Sequence, residues 1–301
     1  MFAGCAAGPI AASLAAMTFS LVARAGDAYG VAVASKFLAV GAVVPAAEAG
    51  VGALATQSYA NPAYLPQGLA LLRTGVDAAG VVAGLTAADP DRARRQFGVV
   101  AATGPGATFT GDGCHDWAGG EAGDGWAAQG NLLAGPQVVT ELRDAWLASD
   151  PAAPLARRLL AGLLAGDLAG GDRRGRQSAA LLVVQPGQGY GSIGHLAVDL
   201  RVDDHPDPVA ELARLLELHT MLFGRPDPGS LADLSGPLAA EVRQLLDRTG
   251  HSVTDNSPAA LDAALASWAG VENLEERIVP GRIDPLVLDH LRTGAGVAGR
   301  G

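Results

Sequence analysis

With 301 residues, 49% of them hydrophobic and 17% charged, the chain has an ordinary globular composition and enough apolar material for one or two cores. A formal net charge of -10, with no basic cluster wider than Asp172-Arg173-Arg174-Gly175-Arg176, argues against nucleic acid or an anionic membrane as partner and points to small molecules or protein. Cys5 and Cys114 are the only cysteines, which excludes a disulfide framework and a sulfur-based zinc site; a reducing, cytoplasmic setting is expected, with no metal and no cofactor.

Residues 1–16, MFAGCAAGPIAASLAA, are apolar and small, but they lack the basic start of a secretory signal and are too short to span a bilayer. They read as a leader that is removed, or as a start assigned upstream of true initiation at Met17. Both readings make Thr18 the residue of interest. β-Branched apolar runs at 18–24 and 30–35, separated by Ala25-Gly26-Asp27-Ala28-Tyr29, predict a hairpin of two buried strands. A strand at 51–57 follows, then helices from Pro62 through Leu72 and over 76–86, the second ended by Asp89-Pro90. Strands are expected at 96–102, 106–110 and 126–131, and helices at 136–148 and 153–165. Beyond the glycine-rich stretch 166–175, strands at 178–184 and 196–202 form another hairpin. Helix pairs between strands predict two packed sheets covered by helices, and the lack of single βαβ units argues against a doubly wound dinucleotide fold. From Pro206 the pattern is helical only, over 208–223, 236–249, 258–269 and 284–292, with Arg225-Pro226-Asp227-Pro228-Gly229 as the linker. The expected domains are 17–224 and 230–301.

A threonine hydroxyl is a weak nucleophile that needs an adjacent base, and an exposed α-amine on the same residue, with a pKa of about 7.7–8.0, can serve. Thr18 suits that role if residue 17 is removed. Of the 21 Lys+Arg residues, Lys36 is the only lysine. Unlike arginine, it can be desolvated and shuttle a proton, and the hairpin brings the end of the second strand near the start of the first. Asn131 closes a strand with an amide able to stabilise an oxyanion. The segment Gly170 to Ser178 packs glycines, Asp172, Arg173, Arg174 and Gln177 into the entry of a strand, where a guanidinium fork could hold a substrate carboxylate. Ser20, Ser35, Asp172, Arg173, Arg174, Gln177 and Ser178 are the candidate substrate-binding residues.

Other signals fail in context. Gly189-x-Gly191-x-x-Gly194 matches a dinucleotide fingerprint by letter, but a strand follows it where a helix is needed. Asp207 before Pro208 reads as a helix start rather than a metal ligand. Cys114-His115-Asp116 has no further ligands at useful spacing.

Residues 17–205 resemble the family called domain of unknown function 1028. The matching stretches are Met17–Arg24, Gly30–Gly41, Gly50–Gln57, Gln129–Leu133, Gly170–Gly175 and Asp199–His205. The resemblance implies an α+β fold, a four-layer αββα sandwich of the N-terminal-nucleophile-hydrolase kind, followed by a small helical domain. The opening hairpin is similar to that of proteasome-type subunits. Thr18 then matches the nucleophile, and Ser35 falls near an acidic position; that departure leaves the tuning of the amine open, with Lys36 a candidate for it. The stretches Ala259–Trp268, Glu272–Arg277 and Ile283–Arg292 are similar to a peptidoglycan-binding-like domain that accompanies this family. The lack of an export signal conflicts with a peptidoglycan fragment as partner, so packing or homo-oligomerisation is the expected role of the tail. Two functions stay open: an amidohydrolase acting on a small-molecule amide, and a non-catalytic binding or scaffold protein.

Overall fold

The computed structural model describes residues 18–189 and 192–296. The reading of residues 1–17 as a leader or mis-assigned start, and Gly191 of the glycine motif, lie outside the described residues. The chain divides into two compact units, with the change between Leu216 and Glu217.

In the first unit, strand β1 (Thr18–Ala25) and strand β2 (Ala28–Ser35) form the expected hairpin. Gly26 turns it in the left-handed region, at φ 59°, where a side chain would be strained. The antiparallel register sets Thr18 opposite Ser35. After strand β3 (Pro45–Glu48) and strand β4 (Gly52–Ser58) come helix α1 (Tyr64–Arg73), helix α2 (Ala78–Ala88), strand β5 (Arg95–Ala101) and strand β6 (Ala107–Thr110). Strand β7 (Gly119–Gly123), strand β8 (Trp126–Asn131), helix α3 (Gln137–Ala148), helix α4 (Leu155–Leu168), strand β9 (Ser178–Val184) and strand β10 (Leu196–Val202) complete the series. Two antiparallel sheets result, one in the order β10-β9-β2-β1-β8-β7 and the other β3-β4-β5-β6. Strands β3 and β7 were not expected: Pro-Ala-Ala-Glu and Gly-Gly-Glu-Ala-Gly have neither alternation nor β-branched residues. Both are half-buried edge strands, ordered by pairing with a neighbour rather than by their own propensity.

The two-residue alternation of a strand separates the faces of β1. Phe19, Leu21 and Ala23 join Leu142 and Trp146 of α3 and Leu159 and Leu163 of α4 in one apolar cluster. Val22 joins Val31 and Val33 of β2 with Ala53, Ala55 and Val100 of the four-stranded sheet in a second. Leu54, Phe97 and Val99 join Tyr64 and Leu72 of α1 and Val81 and Leu85 of α2 in a third. The unit is therefore mixed α/β and antiparallel, and Thr18 and Ser20 share the alternating face of β1 that carries Val22.

Buried Asp89 ties α1 and α2 to the start of β5. It accepts hydrogen bonds from the Tyr64 hydroxyl (2.8 Å), Arg95 Nε (2.8 Å) and the Asp91 backbone N–H (2.8 Å). The Arg95 guanidinium holds the Asp89 carboxyl well below the usual carboxylate range despite its burial. Burial, and then the Asp89 acceptor, push the Tyr64 phenol far up. A depressed carboxyl pKa stabilises the fold above the unfolded-state value, and that stabilisation is lost as pH falls through the folded-state value. Asp89→Asn is therefore expected to cost about 1–3 kcal/mol at neutral pH. The deficit against wild type should shrink below about pH 4, as urea denaturation on either side of that pH would reveal.

Helix α5 (Pro208–Phe223) carries the chain from the first unit to the second, which contains helix α6 (Gly236–Arg248), helix α7 (Pro258–Val271) and helix α8 (Pro285–Gly294). The expectation of helices alone needs correction: strand β11 (Ala232–Asp233) pairs antiparallel with strand β12 (Arg282–Ile283). Two-residue strands are too short to leave a pattern. Pro258 follows a capping Ser257, whose Oγ accepts from Ala260 N, and Pro285 follows Asp284, whose carboxylate accepts from Leu286 N. Trp268 is 2% exposed and packs with Leu245, Leu261, Leu265 and Leu291, so its ring is core rather than a face for a sugar. Arg277 and Asp284 form a buried ion pair at 2.5 Å. Arg277 also donates to the Met221 and Thr220 carbonyls. Removing one member strands the other charge. Arg277→Met should lower stability by about 3–5 kcal/mol, and adding Asp284→Leu should recover part of that loss in a double-mutant cycle read by thermal unfolding. Among the described residues no helix is long and apolar enough to cross a membrane.

Candidate functional site

Thr18 is the first residue of β1 and is fully buried. It is set between Ser35 of β2 and Asn131 of β8 by the register on either side. Its Oγ1 lies 3.1 Å from Ser35 Oγ, and either hydroxyl can be the donor. Its carbonyl accepts from Gln57 Nε2 at 3.2 Å.

A buried polar network continues from there between the sheets. Gln96 Nε2 donates to the Gly130 carbonyl (2.7 Å), the Gly119 carbonyl (3.2 Å) and Thr110 Oγ1 (2.9 Å). Its Oε1 accepts from Gln57 Nε2 (2.8 Å) and Asn131 Nδ2 (2.9 Å). Two carbonyls facing one amide nitrogen leave a single sensible orientation for Gln96, and that fixes the amides of Gln57 and Asn131 in turn. Gln57 Oε1 then accepts from Ser20 Oγ (2.7 Å), which itself accepts from Gln129 Nε2 (2.7 Å). Gln129 Oε1, at the end of this chain, has no partner among the described residues. The Gln129 side chain occupies the space above Gly98, where an added Cβ would meet Oε1 at 2.1 Å.

Ser20, Ser35 and Asn131 therefore gather around Thr18. Sequence reasoning missed Gln57, Gln96 and Gln129. Their signal is a glutamine at an alternate position of an otherwise small or apolar buried face: Ala53, Ala55, Gln57 on β4, and Gln96, Gly98, Val100 on β5. Gly98→Ala should cost about 1–3 kcal/mol in denaturant unfolding, because it drives Gln129 off its place. Gly98→Ala with Gln129→Ala should fall well short of the sum of the single effects.

The remaining candidates stand on the other side of Ser35. Asp172 is buried; its Oδ2 accepts the Lys36 backbone N–H at 2.6 Å and its Oδ1 the Arg174 backbone N–H at 2.8 Å. Arg174 Nη2 lies 3.3 Å from Oδ2. Burial pushes the Asp172 carboxyl above its ordinary value despite these donors. Lys36 lies just past the end of β2 and is exposed, and its ammonium donates to the Arg176 carbonyl at 3.2 Å. Ser178 Oγ donates to the Phe37 carbonyl (2.5 Å) and accepts from Val40 N (3.1 Å), so it ties down the loop after β2. Gln177 Nε2 donates to Asp204 Oδ1 (3.1 Å). Arg173 is exposed, and its backbone N–H donates to the Leu132 carbonyl at 3.3 Å. A cavity of about 10 Å³, room for one water, is lined by Phe19, Ser35, Asp167, Asp172, Arg176 and Pro208 among others.

The model of the "family of unknown function (DUF1028)" matches residues 18–212. The chain belongs to this family. The stretch that defines this DUF1028 chain thus begins at Thr18 itself. A second model, the "putative peptidoglycan binding domain", matches residues 222–291, so a peptidoglycan-binding-like domain follows the DUF1028 region. The DUF1028 chain is similar to the crystal structure of a Silicibacter pomeroyi protein of the same family, with 31% identity and a TM-score of 0.61, covering 76% of this chain and 94% of that one. No curated protein matches it.

Proposed function

We propose that the first unit is a four-layer αββα sandwich of N-terminal-nucleophile-hydrolase type, and that Thr18 is the nucleophile of an amidohydrolase acting on a small amide. The layering is supported by the three apolar clusters, which join a helix pair to each sheet and the sheets to each other. The observation that carries the reading is the Thr18 Oγ1 to Ser35 Oγ contact of 3.1 Å at the first residue of a central strand. Once the residues before Thr18 are removed, its α-amine is the nearest base. The amine takes the hydroxyl proton as Oγ1 attacks the amide carbon; the developing oxyanion draws on the Asn131 amide. The C–N bond then breaks as the leaving nitrogen takes that proton, and water hydrolyses the resulting ester. Arg173 and Arg174 at the strand entry would meet the substrate's polar end.

A binding or scaffold protein is the second reading, favoured by the complete burial of Thr18. In either case the proposed domains are 17–224 and 230–301, the latter docking a peptidoglycan fragment or a second copy.

N-terminal sequencing of the untagged protein made from its own gene, followed by an amide-hydrolysis screen, separates the two readings. The hydrolase reading expects a chain starting at Thr18 and a Thr18→Ala variant reduced about 10³-fold or more in turnover. A chain that keeps the preceding residues and hydrolyses no amide would leave the binding reading, and hydrolysis unchanged in Thr18→Ala would rule out Thr18 as the nucleophile.

A further inference from the structure

Thr18 is held by two strands, and both converge on one residue, Asp172, β2 through its carboxylate and β8 through its backbone. On the β2 side, Asp172 Oδ2 takes the backbone N–H of Lys36, the residue after Ser35, at 2.6 Å. On the β8 side, Asp172 forms an isolated antiparallel bridge with Leu133, two residues past Asn131, and the neighbouring Arg173 N–H bonds the Leu132 carbonyl at 3.3 Å. The cavity beside Ser35 has Asp172 in its wall.

We propose that Asp172 is a positioning residue, which fixes the end of β2 so that the Ser35 hydroxyl stays against Thr18 Oγ1 and thereby sets the reactivity of the nucleophile. This rests on the nucleophile reading above. A carboxylate kept for capping alone sits comfortably as an anion, with a depressed pKa. Here burial outweighs the donors, so the charge is held at a cost to stability, as is common where a group serves chemistry rather than folding.

The charged groups around it are accounted for. Arg174, on its own loop, pairs with it at 3.3 Å. Arg176 Nε is engaged by Asp167 of α4 at 2.8 Å, and the Lys36 ammonium by the Arg176 carbonyl at 3.2 Å. Asp167 adds a second carboxylate to the cavity wall, and Phe19 of β1 and Pro208 of α5 are neutral. Protonation of Asp172 as pH falls removes the anionic acceptor for Lys36 N–H and loosens the register at Ser35. Thr18 reactivity then falls more steeply on acidification than protonation of its α-amine alone requires, the added loss centred above the ordinary aspartate value.

The test is the pH dependence of labelling by a β-lactone electrophile, followed by intact mass on the full protein from its own gene and resolved into a maximal rate and an apparent affinity. Thr18→Ala is the control for the site of attachment. Asp172→Asn should lower the maximal rate by about 10–100-fold, the range typical of a lost supporting hydrogen bond. The apparent affinity should stay unchanged and the added acid-side loss should disappear, leaving only that of the α-amine, whereas Asp172→Glu should restore part of the rate and of the added loss. An Asp172→Asn rate and pH profile identical to wild type would overturn the positioning role, as would a loss confined to affinity, which would make Asp172 a substrate contact. Should Asp172→Asn fail to fold, Ser35→Ala must abolish the same added acid-side loss and leave only that of the α-amine; an added loss that survives it overturns the proposal. Absence of any Thr18-dependent labelling in wild type would instead overturn the nucleophile reading on which the proposal rests.

Discussion

Three glutamine side chains sealed between two sheets must find their hydrogen-bond partners inside the protein, because none can turn to water. The direction of every bond among Gln57, Gln96, Gln129, Ser20 and Asn131 follows from the carbonyls that Gln96 and Gln57 face. A slip of one residue in β1 would carry Ser20 to the helix-facing side and break this chain at its centre. The network thus specifies register in a region where small side chains such as Ala53, Ala55 and Gly98 specify little by shape. It also bonds directly to the Thr18 carbonyl and the Asn131 amide, so the same constraint that aligns the sheets fixes both ends of the candidate site.

Ser35 connects this network to a second, charged one. Through its contact with Thr18 it belongs to the inter-sheet face; through Lys36 N–H and the cavity it adjoins Asp172. The two networks differ in character. The glutamine chain is neutral and nearly satisfied, and it rigidifies. Asp172 is charged, desolvated and raised in pKa, the kind of local conflict that concentrates where a fold gives up stability for a site. The ion pair of Arg277 and Asp284 in the second unit is likewise buried, but each partner is fully committed to its neighbours and the pair lies in a helical core.

The strands of the first unit that pack on both faces were legible because Val, Leu and Ala runs end at glycine turns, as in Thr18–Ala25 and Ser178–Val184. Edge strands β3 and β7 were not, since their order comes from a partner distant in the chain. Thr18 and Asn131 could be singled out from their places at strand ends. Lys36 drew notice as the only lysine, yet rarity says nothing of direction: one residue past Ser35, the alternation turns its side chain to the Arg176 loop. Gln57, Gln96 and Gln129 are unremarkable letters until three strands are brought together. Membership of the DUF1028 family follows from the matching of residues 18–212, and the fold alone does not fix the chemistry.

The most direct measurement is a crystal structure of the protein after reaction with a β-lactone. The account predicts an ester joined to Thr18 Oγ1, its carbonyl oxygen within hydrogen-bond reach of Asn131 Nδ2, and Ser35 still beside the ester oxygen. An adduct on another side chain, or an unmodified Thr18 with the reagent in excess, would contradict it.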